Sequence, residues 1–166
     1  MPSTPITETL VTDAMVKSIR RVFKTMAGIE LAYTGRVDHL DRAQAGPVVV
    51  GCVGFAGAID GLIYVALPET CALDTTARIL GMTREETLAE GPDAVKDAIG
   101  EVTNMTAGGF KNVLCDLGHY CMLTLPTILR GSNVSFAAVK AAERHIFRFE
   151  CDGVPIVVDL QMKPGS

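Results

Sequence analysis

The sequence predicts a single mixed α/β domain built from two related halves, each a long amphipathic helix followed by strands. Three observations carry this. Helical periodicity appears in two segments far apart in the chain, within residues 6–30 and 92–117. Apolar-rich runs of strand character follow each of them. And "SIRRVFKTMAG" (18–28) aligns without a gap to "AIGEVTNMTAG" (98–108), sharing Ile, Val, Ala and Gly.

The first helix is read from "ITETLVTDAMVKSIRRVFKTMAGIE". Leu10, Ala14, Met15, Ile19, Val22 and Met26 share one side, Lys17, Arg20, Arg21 and Lys24 lie elsewhere, and Ala27-Gly28 ends it. "ELAYTGRV", "PVVVGCVGF" and "LIYVAL" read as strands, with Asp60-Gly61 predicting a tight hairpin. "PETCALDTTARILGM" is a short helix ending at Gly81, and the polar stretch "TREETLAEGP" leads into the longest helix, which stops at Gly118. "HYCMLTL", "VSFAAV", "HIFRFEC" and "VPIVVDLQM" read as strands. Asp152-Gly153 marks a second hairpin, and Pro155 suits a strand start. The halves then span about residues 8–68 and 92–162 of one domain covering 1–166, with residues 1–7 expected as a frayed lead-in.

Composition excludes several classes of function. Of 166 residues, 48% are apolar and 20% charged, which argues against disorder. The net charge of −4, with both signs mixed along the chain, offers no nucleic-acid footprint. The best apolar run, "GPVVVGCVGFAGAI", is too short and too glycine-rich to span a membrane. The first residues lack the basic and apolar regions of a signal peptide. Five cysteines without a C-x-x-C then point to reduced thiols in the cytoplasm. The spacing of Cys115, His119 and Cys121 fits no zinc template, so no metal site is predicted. His39 is expected at the surface and His145 as a packed or edge residue; no G-x-S-x-G or phosphate loop is present.

The candidate chemistry lies in the long helix. Val95, Ile99, Val102, Thr106, Val113 and Leu117 cluster on one side, and Asp97, Glu101, Asn104 and Gly108 on the other. Glu101 and Asn104 are neighbours at i, i+3 and face solvent or a partner. Gly100 and Gly108 flank them, each costing about 1 kcal/mol relative to Ala, and are read as clearing room for another backbone. A solvated helix face is the plainer alternative. The aligned first helix carries Arg21 and Lys24 where the second has Glu101 and Asn104, so only the second could do carboxylate-and-carboxamide chemistry. Arg21 and Lys24 could themselves form a basic site for an acidic ligand, with a solvated face or the neighbourhood of an interface as the plainer reading.

"DAIGEVTNMTAGG" resembles the signature helix of the CheC/CheX/FliY phosphatases: Asp or Ser, then Glu, then Asn, and a proline further on. The matching positions are Asp97, Glu101, Asn104 and, in "LTLPTILRG", Pro126. "VGFAGAIDGLIYVAL" is also similar to the family's glycine-rich hairpin, and the likeness runs from about residue 8 to 162. One equipped helix is the CheX-like arrangement. The resemblance implies a CheC/CheX-like fold, with a mostly antiparallel central sheet packed by two long helices and one short one. It implies hydrolysis of the aspartyl phosphate of a CheY-type response regulator, with Asn104 orienting the water and Glu101 pairing with a regulator lysine. Asp97, Gly100, Gly108 and Pro126 would contact the partner. The protein would need no cofactor of its own, the regulator supplying Mg²⁺, and would act as a cytoplasmic homodimer. A non-catalytic module of the same fold that docks receivers is the alternative.

Overall fold

A computed structural model describes residues 2–38 and 46–166, so His39 lies outside the described residues. Helices α1 (Glu8–Ala27) and α4 (Pro92–Asp116) form where the periodicity places them. The Thr7 hydroxyl caps α1 by accepting from Leu10 N, and Gly28, with φ of 65°, closes it in the left-handed region that glycine enters most cheaply. Between them lie β1 (Ala32–Val37), β2 (Pro47–Gly57), β3 (Ile59–Pro68), α2 (Glu69–Leu80) and α3 (Arg84–Ala89). After α4 come β4 (Cys121–Leu123), β5 (Thr127–Ser132), β6 (Glu143–Cys151) and β7 (Val154–Pro164).

The strands make one antiparallel sheet in the order β1-β6-β7-β3-β2, with β4 and β5 both paired to the outer edge of β2. Exchanging α1-β1-β2-β3 with α4-β5-β6-β7 leaves this order unchanged. Each half's first strand pairs with the other half, so the halves interlock. One sheet face carries the helices: Met15, Ile19 and Phe23 of α1 and Ile99, Phe110 and Leu114 of α4 pack on Ile63, Leu67, Phe147 and Phe149. Alternation on β6 sends Phe147 and Phe149 to this face and Ile146 to the other, where it joins Val48, Val50, Ala66 and Val157.

Several elements differ from the sequence reading. Asp60 and Gly61 lie inside β3, and the turn falls at Gly57-Ala58. The Asp60 carboxylate accepts from Gly57 N at 3.2 Å, and Gly61 is small because the Phe55 ring and a strand carbonyl close over it. Asp152 (φ 49°) and Gly153 (φ 78°) do form a two-residue hairpin turn, both left-handed. "TREETLAEGP" contains α3, started by a capping box between Thr83 and Glu86, so two short helices join the two long ones. The lead-in is tied down: Thr4 N donates to Leu117 O at 3.0 Å, and Ile6 packs on the core. "VSFAAV" is not a strand, because "TILRGS" takes the β2 edge instead. Residues 133–142 lie as a strap across the open sheet face. Phe136 stacks on Tyr64 at 4.5 Å, Gln161 Nε2 donates to Ala137 O, and Val139 N donates to Gln161 Oε1.

His145 is packed, as expected, on the helix side of β6. Arg36 Nη2 lies 2.7 Å from His145 Nδ1, and since a guanidinium only donates, Nδ1 accepts and the neutral ring carries its proton on Nε2. Burial first, and the Arg36 charge second, lower the His145 pKa. The unfolded chain takes up this proton near about pH 6.5, whereas the folded chain binds it only at lower pH. Stability is therefore expected to fall as pH drops below about 6.5 toward the folded pKa. Denaturant titrations across that window should show the decline, and His145→Gln should flatten it.

Candidate functional site

Helix α4 is bedded on β2 at one close contact. Gly51 faces Thr103, and a Cβ on Gly51 would overlap the Thr103 hydroxyl and crowd its Cβ at 2.8 Å. Thr103 is fully buried and donates to Ile99 O at 2.7 Å, so its hydroxyl is satisfied within the helix. Its neighbour in sequence is Asn104. Gly51→Val is therefore expected to cost about 1–3 kcal/mol by overpacking, measured by chemical denaturation, because Thr103 would have to lift α4 from the sheet. On the flank of α4, Ser18 Oγ donates to Thr106 O at 2.7 Å, and a Cβ on Gly109 would overlap that Ser18 oxygen. Gly109 thus sets the close approach of α1.

With the buried side of α4 fixed in this way, Glu101 points directly away from the sheet and is exposed. Asn104 is half-buried and by helical spacing leans to the flank of Gly100, where a Cβ would meet Ile128 of β5. Neither side chain makes a hydrogen bond or ion pair to the described residues. Asp97 is exposed one turn earlier, and Gly108 lies one turn after Asn104 with open space where a Cβ would stand. These four share one outward stripe on a 25-residue helix.

Gly100 does not belong to that stripe. It is buried, and a Cβ there would meet Ile128 of β5 at 3.7 Å, an ordinary contact. The reading of Gly100 as cleared surface is therefore corrected: a β5 side chain already covers it. Pro126 is half-buried in the bend between β4 and β5, where Thr124 N donates to Gly54 O and Gly54 N to Thr124 Oγ1. The β2 register sets this bend alongside the middle of α4, on the side to which Asn104 leans. Leu125 beside it is 88% exposed, and Met105, one turn after Glu101, is 40% exposed. Gly51 and Gly109 are the positions that sequence reasoning missed. Their partners Thr103 and Ser18 lie 52 and 91 residues away, and the Gly108-Gly109 pair was the one local hint.

The other groups considered have structural roles. His119 Nε2 lies 2.7 Å from Thr4 O, and Cys115 Sγ is 3.9 Å from Cys121 O. Burial raises the pKa of Cys52, Cys121 and Cys151, and pushes that of Cys71 up to about 12, leaving thiols that are poor nucleophiles. No helix among the described residues is long and apolar enough to cross a membrane. The outward stripe of α4 thus offers a carboxylate and a carboxamide, a pair able to grip a cationic group and hold a water without a nucleophile of its own.

Known proteins share this fold. Residues 49–150, which include the α4 stripe and Pro126, match the model of the family described as chemotaxis phosphatase CheX. The chain is 27% identical over 124 residues to the CheY-P phosphatase CheX of Thermotoga maritima, covering 75% of this chain and 77% of that protein. Its fold matches a crystal structure of chemotaxis protein CheX from Vibrio vulnificus with a TM-score of 0.80 at 25% identity, covering 92% of this chain and 99% of that one. A CheX–CheY–BeF3–Mg²⁺ complex from Borrelia burgdorferi shares the fold at 22% identity, with a TM-score of 0.72 over 92% and 97% of the two chains. The match spans more than half of the sequence and runs through the helix that carries Glu101 and Asn104, and on that ground the chain belongs to the chemotaxis phosphatase CheX family.

Proposed function

We propose that this protein accelerates hydrolysis of the aspartyl phosphate on a CheY-type receiver domain in the cytoplasm, acting as a homodimer. The observation that carries the reading is the Glu101–Asn104 pair, side by side on the outward face of a helix held rigid from behind and unengaged by the described residues. The Thermotoga maritima relative is named a CheY-P phosphatase, and a protein of this fold from Borrelia burgdorferi has been solved with CheY.

The chemistry asks little of the helper protein. A water oxygen attacks phosphorus in line with the aspartyl oxygen, the P–O bond to the aspartate breaks, and the carboxylate leaves with the electron pair. Inorganic phosphate and a proton are released. The rate depends on placing the water and on balancing charge. The Asn104 carboxamide accepts from the water through Oδ1 and donates through Nδ2 without changing charge. Glu101 pairs with a receiver lysine and keeps the two proteins in register. Asp97, Gly108 and Pro126 line the docking face, Gly108 by leaving room for the receiver backbone. The Mg²⁺ of the reaction belongs to the receiver.

The test is the loss of phosphate from a phosphorylated receiver over time, with and without this protein. Faster loss that disappears when Glu101 and Asn104 are both replaced by alanine supports the reading. Receiver binding with unchanged decay would assign a docking module in its place.

A further inference from the structure

The proposed site has an electrostatic difficulty. Its outward stripe carries the carboxylates Asp97 and Glu101, with Asp93 one turn earlier, and all three are exposed. A phosphorylated aspartyl site is an anion, so this stripe by itself repels the group that it must approach. The chain as a whole, at a net charge of −4, adds to the repulsion.

Helix α1 supplies the opposite sign. Lys17, Arg20, Arg21 and Lys24 put four cations within eight residues, all exposed on the side of α1 away from the sheet. Lys24 pairs with Glu30 at 2.9 Å, and Arg20 also acts on Glu30, holding its pKa down behind the leading effect of Lys24. Lys17 and Arg21 form no ion pair among the described residues. They also lie on the α4 side of the row, because Ser18 between them is the residue that touches Thr106. The helices run antiparallel, with Thr4 near Leu117 and Ser18 at Thr106, which brings Arg21 level with the middle of α4. Helices packed this closely have axes roughly 8–10 Å apart. That is about one Debye length at physiological salt, so one docked domain feels both rows.

Resting on the reading of α4 as the phosphatase site, we propose that Lys17 and Arg21 form a cationic docking strip that draws the anionic phosphorylation site of the receiver onto α4. The strip speeds encounter and lowers KM without touching the reacting atoms. The apolar side of α1 is spent in the core through Met15, Ile19 and Phe23, so no face remains to enter a lipid surface, and a protein anion is the favoured occupant.

The experiment measures dephosphorylation of the receiver by the full chain, comparing wild type with Lys17→Glu/Arg21→Glu across a salt series. The double reversal is expected to raise KM on the order of tenfold at low salt, as steering contributions of this kind do. It should leave kcat unchanged and flatten the salt dependence of kcat/KM, and Lys17→Gln/Arg21→Gln should fall between. Unchanged KM in an active protein overturns the strip while leaving the phosphatase reading intact. A fall in kcat alone also overturns it, and so does binding of anionic phospholipid vesicles with no effect on the receiver reaction. If wild type shows no stimulated decay, the underlying phosphatase reading is what fails.

Discussion

Asn104→Ala is expected to abolish most of the stimulated dephosphorylation, with kcat falling by about two to three orders of magnitude, the scale seen when one preorganised polar group is removed from a reacting centre. The fold should not notice. Asn104 is half-exposed and bonds to no described residue, so its removal leaves no buried group unsatisfied. Alanine is also the better helix former, by a few tenths of a kcal/mol, so thermal unfolding should be unchanged or slightly raised. Loss of rate with retained stability separates a functional asparagine from a structural one. Asn104→Asp sharpens the contrast: it keeps the shape but replaces the NH₂ donor with a charge facing the phosphoryl group, and should be no more active than alanine. Glu101→Ala should act chiefly on KM, because its proposed work is pairing rather than holding the water. A progress curve for each variant against one phosphorylated receiver decides these outcomes. Retention of the wild-type rate by Asn104→Ala would remove the site assignment.

Arg144→Met is expected to be the most destabilising of the single changes considered, costing about 3–5 kcal/mol. Asp159 lies in β7 with no solvent exposure, and Arg144 meets it with Nη2 at 2.6 Å from Oδ2 and Nε at 3.2 Å from both oxygens. The same guanidinium donates to Phe136 O at 3.2 Å and so holds the strap. Removing it leaves a buried carboxylate with no compensating charge and frees the middle of residues 133–142. For a domain of this size each kcal/mol moves the midpoint by roughly 2–4 °C, so the loss should be plain in a melting curve. Arg144→Met combined with Asp159→Leu should recover much of it, because an apolar pair of similar volume avoids the stranded charge. A double variant no more stable than Arg144→Met would show that the ion pair does more than neutralise Asp159.

The two long helices could be read from the chain because each signal is local. Leu10, Ala14, Met15, Ile19, Val22 and Met26 share one side of α1, Ala27-Gly28 marks its end, and Gly118 marks the stop of α4. The same local rule placed Glu101 and Asn104 on the outward side. Asp152-Gly153 was legible because a two-residue turn with both residues left-handed needs those residue types. Asp60-Gly61 carries the same letters and is not the turn. There glycine answers to the Phe55 ring packed across it, a contact that local sequence does not encode. "VSFAAV" has strand-like residues, yet a strand also needs a free edge. The edge of β2 is taken by "TILRGS", and Arg144 and Gln161 meet the strap's backbone groups with side chains.

The sequence by itself determined the two helices and the four positions that share the outward stripe of the second, all of which follow from spacing along one helix. Only the tertiary structure decided which glycines serve the surface. Gly108 is open, Gly100 lies beneath Ile128, Gly109 admits Ser18, and Gly51 seats Thr103. The reason is physical: a helix wheel fixes the direction of a side chain, while close approach depends on what the rest of the chain brings to meet it. The same holds for Lys17 and Arg21, ordinary surface cations until the antiparallel packing at Ser18 and Thr106 brings their helix alongside α4.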